Sequence, residues 1–424
     1  MIKRISTGFF LALVLVSGSV MPAAADFDAG QKAYEEGDYA TAVREFRTDG
    51  SPEAEFNLGL LYFVGKGVKQ DKREAAHWFR KAAEQGYVPA QFNLGVLFAK
   101  GEGVDYDRKE AARWYRKAAE GGHAVAQFNA GVCYDRGDGV EQDRKEAVRW
   151  YRKAAEQGLS AARFNLALLL DNGTGVEKNR QEARSLYRAA AEKGYVPAQY
   201  NLALMYDTGD GIAPDRKEAI KWYRKAAGKG YVPAQFNLGL LYARGSGGKQ
   251  DKKDAVTWYR KAAEKGYAPA QLNLGLLYGW GEGGRHDFAE ALKWLKLAAG
   301  KGLAEAEFNL GLLYDKGLGV KADGREAADW YRKAADQGDT DAQFALGTLY
   351  YDGAGVAHDP AEAFRWFMKA AEGGNARAQL KIGLMYDKGD GVKQDPREAA
   401  KWYRRAAEQL HRMMRETAPA RSNP

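Results

Sequence analysis

Ala90-Gln-Phe-Asn-Leu-Gly-Val-Leu-Phe98 decides how this chain folds, because it comes back. Ala54-Glu-Phe-Asn-Leu-Gly-Leu-Leu-Tyr62 precedes it by 36 residues, and further versions open at Ala126, Ala162, Ala198, Ala234, Ala270, Ala306, Ala342 and Ala378. A fixed period of this length, uninterrupted over ten copies, marks an array of identical supersecondary units. Within a copy, Leu94, Gly95 and Phe98 lie at helical spacing, and Gly101 and Gly103 follow where the helix must stop. Glycine there supplies the positive φ that closes a helix.

A second helix follows in every copy. It opens with Asp or Asn and an acid three residues on: Asp71/Glu74, Asp107/Glu110, Asp143/Glu146, Asn179/Glu182, Asp215/Glu218, Asp251/Asp254, Asp287/Glu290, Asp323/Glu326, Asp359/Glu362 and Asp395/Glu398. The pattern predicts an N-cap with a capping-box partner in all ten copies, each cap contributing about 0.5 to 2 kcal/mol. Pro360 and Pro396 fall at the first helical position, where proline is tolerated. Trp then recurs at 78, 114, 150, 222, 258, 294, 330, 366 and 402, broken only by Leu186. Paired alanines such as Ala82-Ala83 follow it, so the stripe reads as core, with the large side chain filling space and the alanines allowing close approach. Gly86 and its equivalents through Gly374 end these helices. Position 410 is Leu instead, which predicts that the last helix runs on through His411, Arg412 and Met414.

One helix pair cannot bury its own apolar face, so the pairs must stack into a continuous core. The fold class expected is all-α: an α/α solenoid of ten 36-residue helix pairs over 51–416, in one domain. Residues 26–50, including Ala29 to Tyr39 and Ala42 to Phe46, form a shorter capping pair, and 417–424 form a disordered tail. Residues 1–25 read as a secretory leader, with Lys3 and Arg4, an apolar run from Phe9 to Val16 and small residues to Ala25 before Asp26. That run is too short to span a bilayer, and no later segment approaches the length needed. The expected location is therefore periplasmic or secreted, without a lipid anchor or a transmembrane segment in the mature chain.

Cys133 is the only cysteine, so no intramolecular disulfide forms; it sits where other copies carry Leu and reads as an apolar filler. The net charge of +8 is not gathered into a block. Recurring pairs such as Arg80-Lys81 and Arg116-Lys117 lie near helix C-termini, where cations interact well with the helix dipole, so they read as solvated helix ends and no nucleic-acid partner is expected.

The pattern A-x-F-N-L-G-x-L-Y-x-x-G-x-G-V-x-x-D-x-x-E-A-x-x-W-Y-R-K-A-A-E-x-G resembles the Sel1-like repeat family, a relative of tetratricopeptide repeats, over residues 54 to about 409. The resemblance implies a right-handed superhelix serving as an adaptor, with bacterial members acting in envelope signalling, polysaccharide export or virulence. Cysteine-rich relatives carry a disulfide in each repeat, from which this chain departs.

Nothing in the sequence assembles a catalytic constellation. His77, His123, His286, His358 and His411 occupy unrelated repeat positions, and no metal-ligand spacing appears, so neither cofactor nor metal is expected. Ser246-Gly-Gly-Lys249 matches S-x-x-K, but it lies in a loop and lacks the S-D-N and K-T-G partners of penicillin-interacting enzymes. A β-lactam or cell-wall hydrolase and a polysaccharide-export scaffold stand as alternatives to the leading expectation, a monomeric, non-enzymatic adaptor of the cell envelope that binds a protein segment on its concave face.

Two sets of residues are candidates for that face. One is the asparagine column, Asn129, Asn165, Asn201, Asn237, Asn273 and Asn309, begun by Asn57 and Asn93 and lost at Ala345 and Lys381. Asparagine is a mediocre helix former, so its repetition has a cause: a hydrogen bond that fixes stacking, a ladder of amides grasping a bound backbone, or both. The other set is the variable ends of the first helices, where Arg136, Arg244, Trp280 and Tyr351 are the side chains suited to anchoring a partner, among varied neighbours such as Asp171, Lys316 and Lys388.

Overall fold

The computed structural model describes residues 25–245, 251–281 and 286–417. The leader, Ser246 to Lys249, the loop glycines 283 and 284 and the tail beyond 417 lie outside them. Among the described residues every regular element is a helix. The chain divides into two compact units, Met1–Trp222 and Tyr223–Pro424.

The first unit contains α1 (Ala25–Glu36), α2 (Tyr39–Asp49), α3 (Pro52–Val64), α4 (Lys72–Glu84), α5 (Val88–Lys100), α6 (Arg108–Glu120), α7 (Ala124–Arg136), α8 (Arg144–Glu156), α9 (Ser160–Asn172), α10 (Arg180–Glu192) and α11 (Val196–Thr208). The boundary falls inside α12 (Arg216–Gly228). The second unit continues with α13 (Val232–Ala243), α14 (Asp251–Glu264), α15 (Ala268–Gly279), α16 (Phe288–Ala299), α17 (Ala304–Lys316), α18 (Gly324–Asp336), α19 (Thr340–Asp352), α20 (Pro360–Glu372), α21 (Ala376–Lys388) and α22 (Pro396–Thr417). Within each unit a helix packs on its neighbours in sequence, the arrangement of an α/α solenoid.

Glycine sets the two spacings of the repeat. A Cβ at Gly95 would lie 2.8 Å from the Tyr115 ring, and one at Gly347 would lie 2.8 Å from Phe367, so glycine in the first helix lets the aromatic of the second lie flat against it. Gly103 has φ +73°, and a Cβ there would sit 1.9 Å from the carbonyl oxygen of Lys72, one repeat back. At Gly103, Gly139, Gly355 and Gly391 the second glycine of the Gly-x-Gly loop is thus a backbone-on-backbone contact between successive repeats, not only a helix stop. The capping pair obeys the same rule: Phe27 stacks 5.6 Å from Phe46 and Gly30 faces that ring, as Phe56 and Gly59 face Phe79.

Three expectations need correction. Asp71, Asp107 and their equivalents accept hydrogen bonds from the N–H groups two and three residues on, but α14 begins at Asp251 itself, so that residue is not its N-cap. The acids three residues on turn away from the cap: Glu110, Glu218 and Glu290 accept the indole N–H of Trp114, Trp222 and Trp294 at 3.1, 3.0 and 2.7 Å. Those rings need a partner for their one polar atom when buried. The Arg-Lys pairs are also not simply solvated. Lys117, Lys153 and Lys333 fold back over Trp114, Trp150 and Trp330 at 4.5, 4.6 and 3.7 Å from the ring centres. The arginines reach forward, Arg224, Arg260 and Arg332 donating to the hydroxyls of Tyr242, Tyr278 and Tyr350 in the next repeat, as Arg188 does to Tyr206. Cys133 is 3% exposed, and burial pushes its thiol up to about 12, as an inert filler requires. The final helix does run on, to Thr417.

Candidate functional site

The first helix of each repeat carries the candidate residues, and the two units present these helices differently. In the first unit Val96 and Val132, in the variable position of A-x-F-N-L-G-x-L-Y, are 0% and 1% exposed. In the second unit the corresponding Leu240, Leu276, Leu312 and Thr348 are half-buried, and Leu384 is exposed. The face is therefore closed from Leu60 to Leu168 and open from the half-buried Leu204, at the end of the first unit, onward.

The asparagine column follows this division. Asn129, Asn165 and Asn201 are buried, each beside the aromatic of the preceding second helix, Tyr115, Tyr151 or Tyr187. Burial raises the pKa of those hydroxyls well above the ordinary tyrosine value, and the neighbouring amide opposes the shift. Asn237 and Asn273 are half-buried and donate to the hydroxyls of Tyr223 at 3.1 Å and Tyr259 at 3.2 Å. Burial drives Tyr259 up to about 12, and Asn273 again opposes it. Where the second-helix residue lacks a hydroxyl there is no such pair: Asn309 follows Leu295 and donates to the carbonyl of Glu305 at 2.7 Å, and Phe367 is followed by Lys381. The column's partner is a tyrosine hydroxyl fourteen residues back, not the neighbouring backbone, and burial takes the first three amides away from any ligand.

The variable helix ends are placed differently. Arg136 and Arg244 are exposed, and Trp280 is 58% exposed at the C-cap of α15. Tyr351 is half-buried: its hydroxyl donates to Asp390 at 2.6 Å, and the Lys381 ammonium lies 3.9 Å from its ring centre. Asp171 is the exception, 5% exposed and 3.8 Å from Arg180; burial and Asp210 raise its pKa.

Sequence reading missed a second polar column beside the asparagines. Gln91, Gln127, Gln199, Gln235, Gln271, Gln343 and Gln379 are buried and donate at 3.0–3.2 Å to the carbonyl of the alanine eight residues back. They satisfy the last turn of the preceding helix, whose carbonyls have no intrahelical donor. Arg163 does the same at 3.2 Å through its guanidinium. Glu307 replaces the donor by an acceptor and is held by Gln337 at 2.7 Å, with burial raising its carboxyl. The recurring Gln was visible, but its target could be known only once the turn before it was placed.

Among the described residues no group of three or more His, Cys, Asp or Glu is placed to hold a metal, and no helix is long and apolar enough to cross a membrane. The Sel1 repeat model matches ten consecutive segments, 52–87, 88–123, 124–159, 160–195, 196–231, 232–267, 268–303, 304–339, 340–375 and 376–409. A solved protective antigen of uropathogenic Escherichia coli, c5321, which displays an SLR fold, is 35% identical over 93% of this chain and 88% of its own, with a TM-score of 0.79. A Sel1 repeat protein from Oxalobacter formigenes is 34% identical over 72% of this chain and 90% of its own, with a TM-score of 0.57. Such solenoids typically serve protein–protein interaction. On the strength of ten matched repeats, this chain belongs to the Sel1 repeat family.

Proposed function

We propose that this chain is a non-enzymatic adaptor of the bacterial cell envelope, exported by its N-terminal leader, that holds a segment of a partner protein on the first-helix face of its second unit. The observation that carries this reading is Trp280. A large aromatic 58% exposed on a helix whose neighbouring positions are half-buried is a side chain left for a partner, since aromatics and arginines dominate binding energies. Arg244, exposed at the same repeat position one copy earlier, lies in the same unit. The half-buried asparagines Asn237, Asn273 and Asn309 border the open leucines and contribute hydrogen-bonding capacity there, whereas Asn129, Asn165 and Asn201 belong to the frame. The leader supports export by its basic start, its short apolar run and its small-residue end.

Photo-crosslinking in living cells tests this, with the reactive group at position 280 and at exposed Lys109 as control. One dominant envelope protein captured from 280 and not from 109 is the expected result. No capture from 280, or equal capture from both, overturns it.

A further inference from the structure

Within the second unit, neighbouring repeats are tied by directional bonds that run between a second helix and the first helix after it. Between α14 and α15, Asn273 donates to the Tyr259 hydroxyl at 3.2 Å, Gln271 to the Ala263 carbonyl at 3.1 Å, and Arg260 to the Tyr278 hydroxyl. Between α18 and α19, Gln343 donates to Ala335 at 3.1 Å and Arg332 to Tyr350. Between α20 and α21, Gln379 donates to Ala371 at 3.1 Å.

At the α16–α17 junction the partners have changed in each of these places. Leu295 stands where Tyr259 does, so Asn309 bonds to Glu305 of its own helix at 2.7 Å. Glu307 stands where Gln271 does. An ionised carboxyl has no proton to give, and Glu307 accepts from Gln337 of α18 at 2.7 Å instead of reaching back to Ala299. Lys296 replaces the arginine and lies over Tyr314, 5.4 Å from the ring centre. The connecting turn is also slack: the Leu303 N–H lies 3.5 Å from the Ala298 carbonyl, against 2.9–3.2 Å at the equivalent turns of the other repeats. The remaining contact is apolar, with Phe288, Leu292, Leu303 and Leu318 packed against the cluster of Leu295, Leu310 and Leu313. Such burial holds two helices together without fixing their register, because it is non-directional.

We propose that the α16–α17 junction is a slip joint of the second unit, at which α17 shifts along α16 by sliding of packed helices. The joint adjoins the proposed binding face. Asn273, Leu276 and Trp280 fall on one stripe of α15, and Asn309, Leu312 and Lys316 fall on the matching stripe of α17. Sliding changes the offset between the two stripes, and a bound segment selects the offset that fits it best. The slip itself needs no partner; only its use in fitting one rests on the function proposed above.

Distances between spin labels test the joint in the full chain, on a Cys133→Leu background, Leu being the residue at the equivalent positions 61 and 97. Thr257, Asp329 and Lys401 are exposed and occupy the same position of α14, α18 and α22, so the pairs 257/329 and 329/401 span equal lengths of the array. Only the first pair crosses the α16–α17 junction. A broader distance distribution is expected for Thr257→Cys/Asp329→Cys than for Asp329→Cys/Lys401→Cys. Glu307→Gln restores the amide found at Gln271 and Gln343 and should narrow the 257/329 distribution. Adding Leu295→Tyr should bring it to the width of the 329/401 pair, since Gly275 lies under position 295 as Gly239 lies under Tyr259. Glu307→Gln alone carries the test if the larger tyrosine fails to pack. Equal widths for the two pairs, or a 257/329 distribution unchanged by Glu307→Gln, overturns the proposal. Neither result bears on whether position 280 captures a partner.

Discussion

In the first unit, loops are tied to the preceding repeat by charge: Lys72 to Glu102 at 3.4 Å, Arg108 to Asp138 at 3.1 Å and Arg180 to Asp210 at 2.6 Å. In the second unit the same two positions hold Phe288 with Leu318 and Gly324 with Ala354. The buried rungs differ as well. Asn129 and Asn165 meet Tyr115 and Tyr151 in the first unit, whereas in the second the rung persists at Tyr223/Asn237 and Tyr259/Asn273 and is lost at Tyr331/Ala345 and Phe367/Lys381. What both units keep is steric: glycine under the aromatic, and glycine on the backbone of the repeat before. The polar ties are therefore adjustable fittings, and the glycines are the frame. A sharp ranking of substitutions follows.

The largest effects should be equal in the two units. Gly103→Ala and Gly355→Ala each place a Cβ about 2 Å from backbone one repeat back, at positive φ, and each should cost about 3 kcal/mol or more in urea unfolding. A loss confined to one unit would break the claim that this contact is common to both.

Next come the rungs. Asn129→Ala leaves the buried Tyr115 hydroxyl without its amide and should cost about 1–3 kcal/mol, much of it recovered by adding Tyr115→Phe. Asn309→Ala, which removes only a bond to its own helix, should change stability by less than about 0.5 kcal/mol. Equal costs at 129 and 309 would erase the distinction.

His123 gives a smaller, pH-dependent effect. Its Nδ1 accepts the N–H of Ala126 at 3.1 Å to cap α7, and burial lowers its pKa from 6.5. The folded state therefore resists protonation more than the unfolded one. The cap's contribution is intact above about pH 6.5 and is lost as pH falls through the lower folded value. His123→Asn should keep the cap and flatten the stability profile between pH 7 and 5; an unchanged profile would count against this assignment.

Smallest is the charge ladder. Arg108→Ala should cost about 1 kcal/mol or less, decreasing with salt, because Arg108 is 61% and Asp138 23% exposed.

Much of the frame was legible because its chemistry is local. A period of 36, a cap at Asp107, glycines at 101 and 122 and an overrun past Leu410 each state a backbone requirement within a few residues. The site was less legible because its contacts skip a fixed distance. Asn129 to Tyr115, Gln127 to Ala119 and Arg188 to Tyr206 span offsets that every copy shares, so regular repetition hides which pairs touch. The irregular copies gave no consistent signal either: Phe367 and Lys381 change together, but Leu295 is followed by an unchanged Asn309, Phe79 by Asn93, and Tyr331 by Ala345. Burial of Asn129, Asn165 and Asn201 and of Asp171 depends on how closely successive first helices approach, which helix periodicity does not specify.

The division between frame and fittings is tested most directly by Arg244→Ser/Trp280→Ser, measured together for thermal unfolding and for partner capture. Both side chains are exposed, so the account predicts a melting curve within experimental error of the parent and a loss of the crosslinked partner. A markedly lower melting temperature, or full capture despite the two changes, would contradict it.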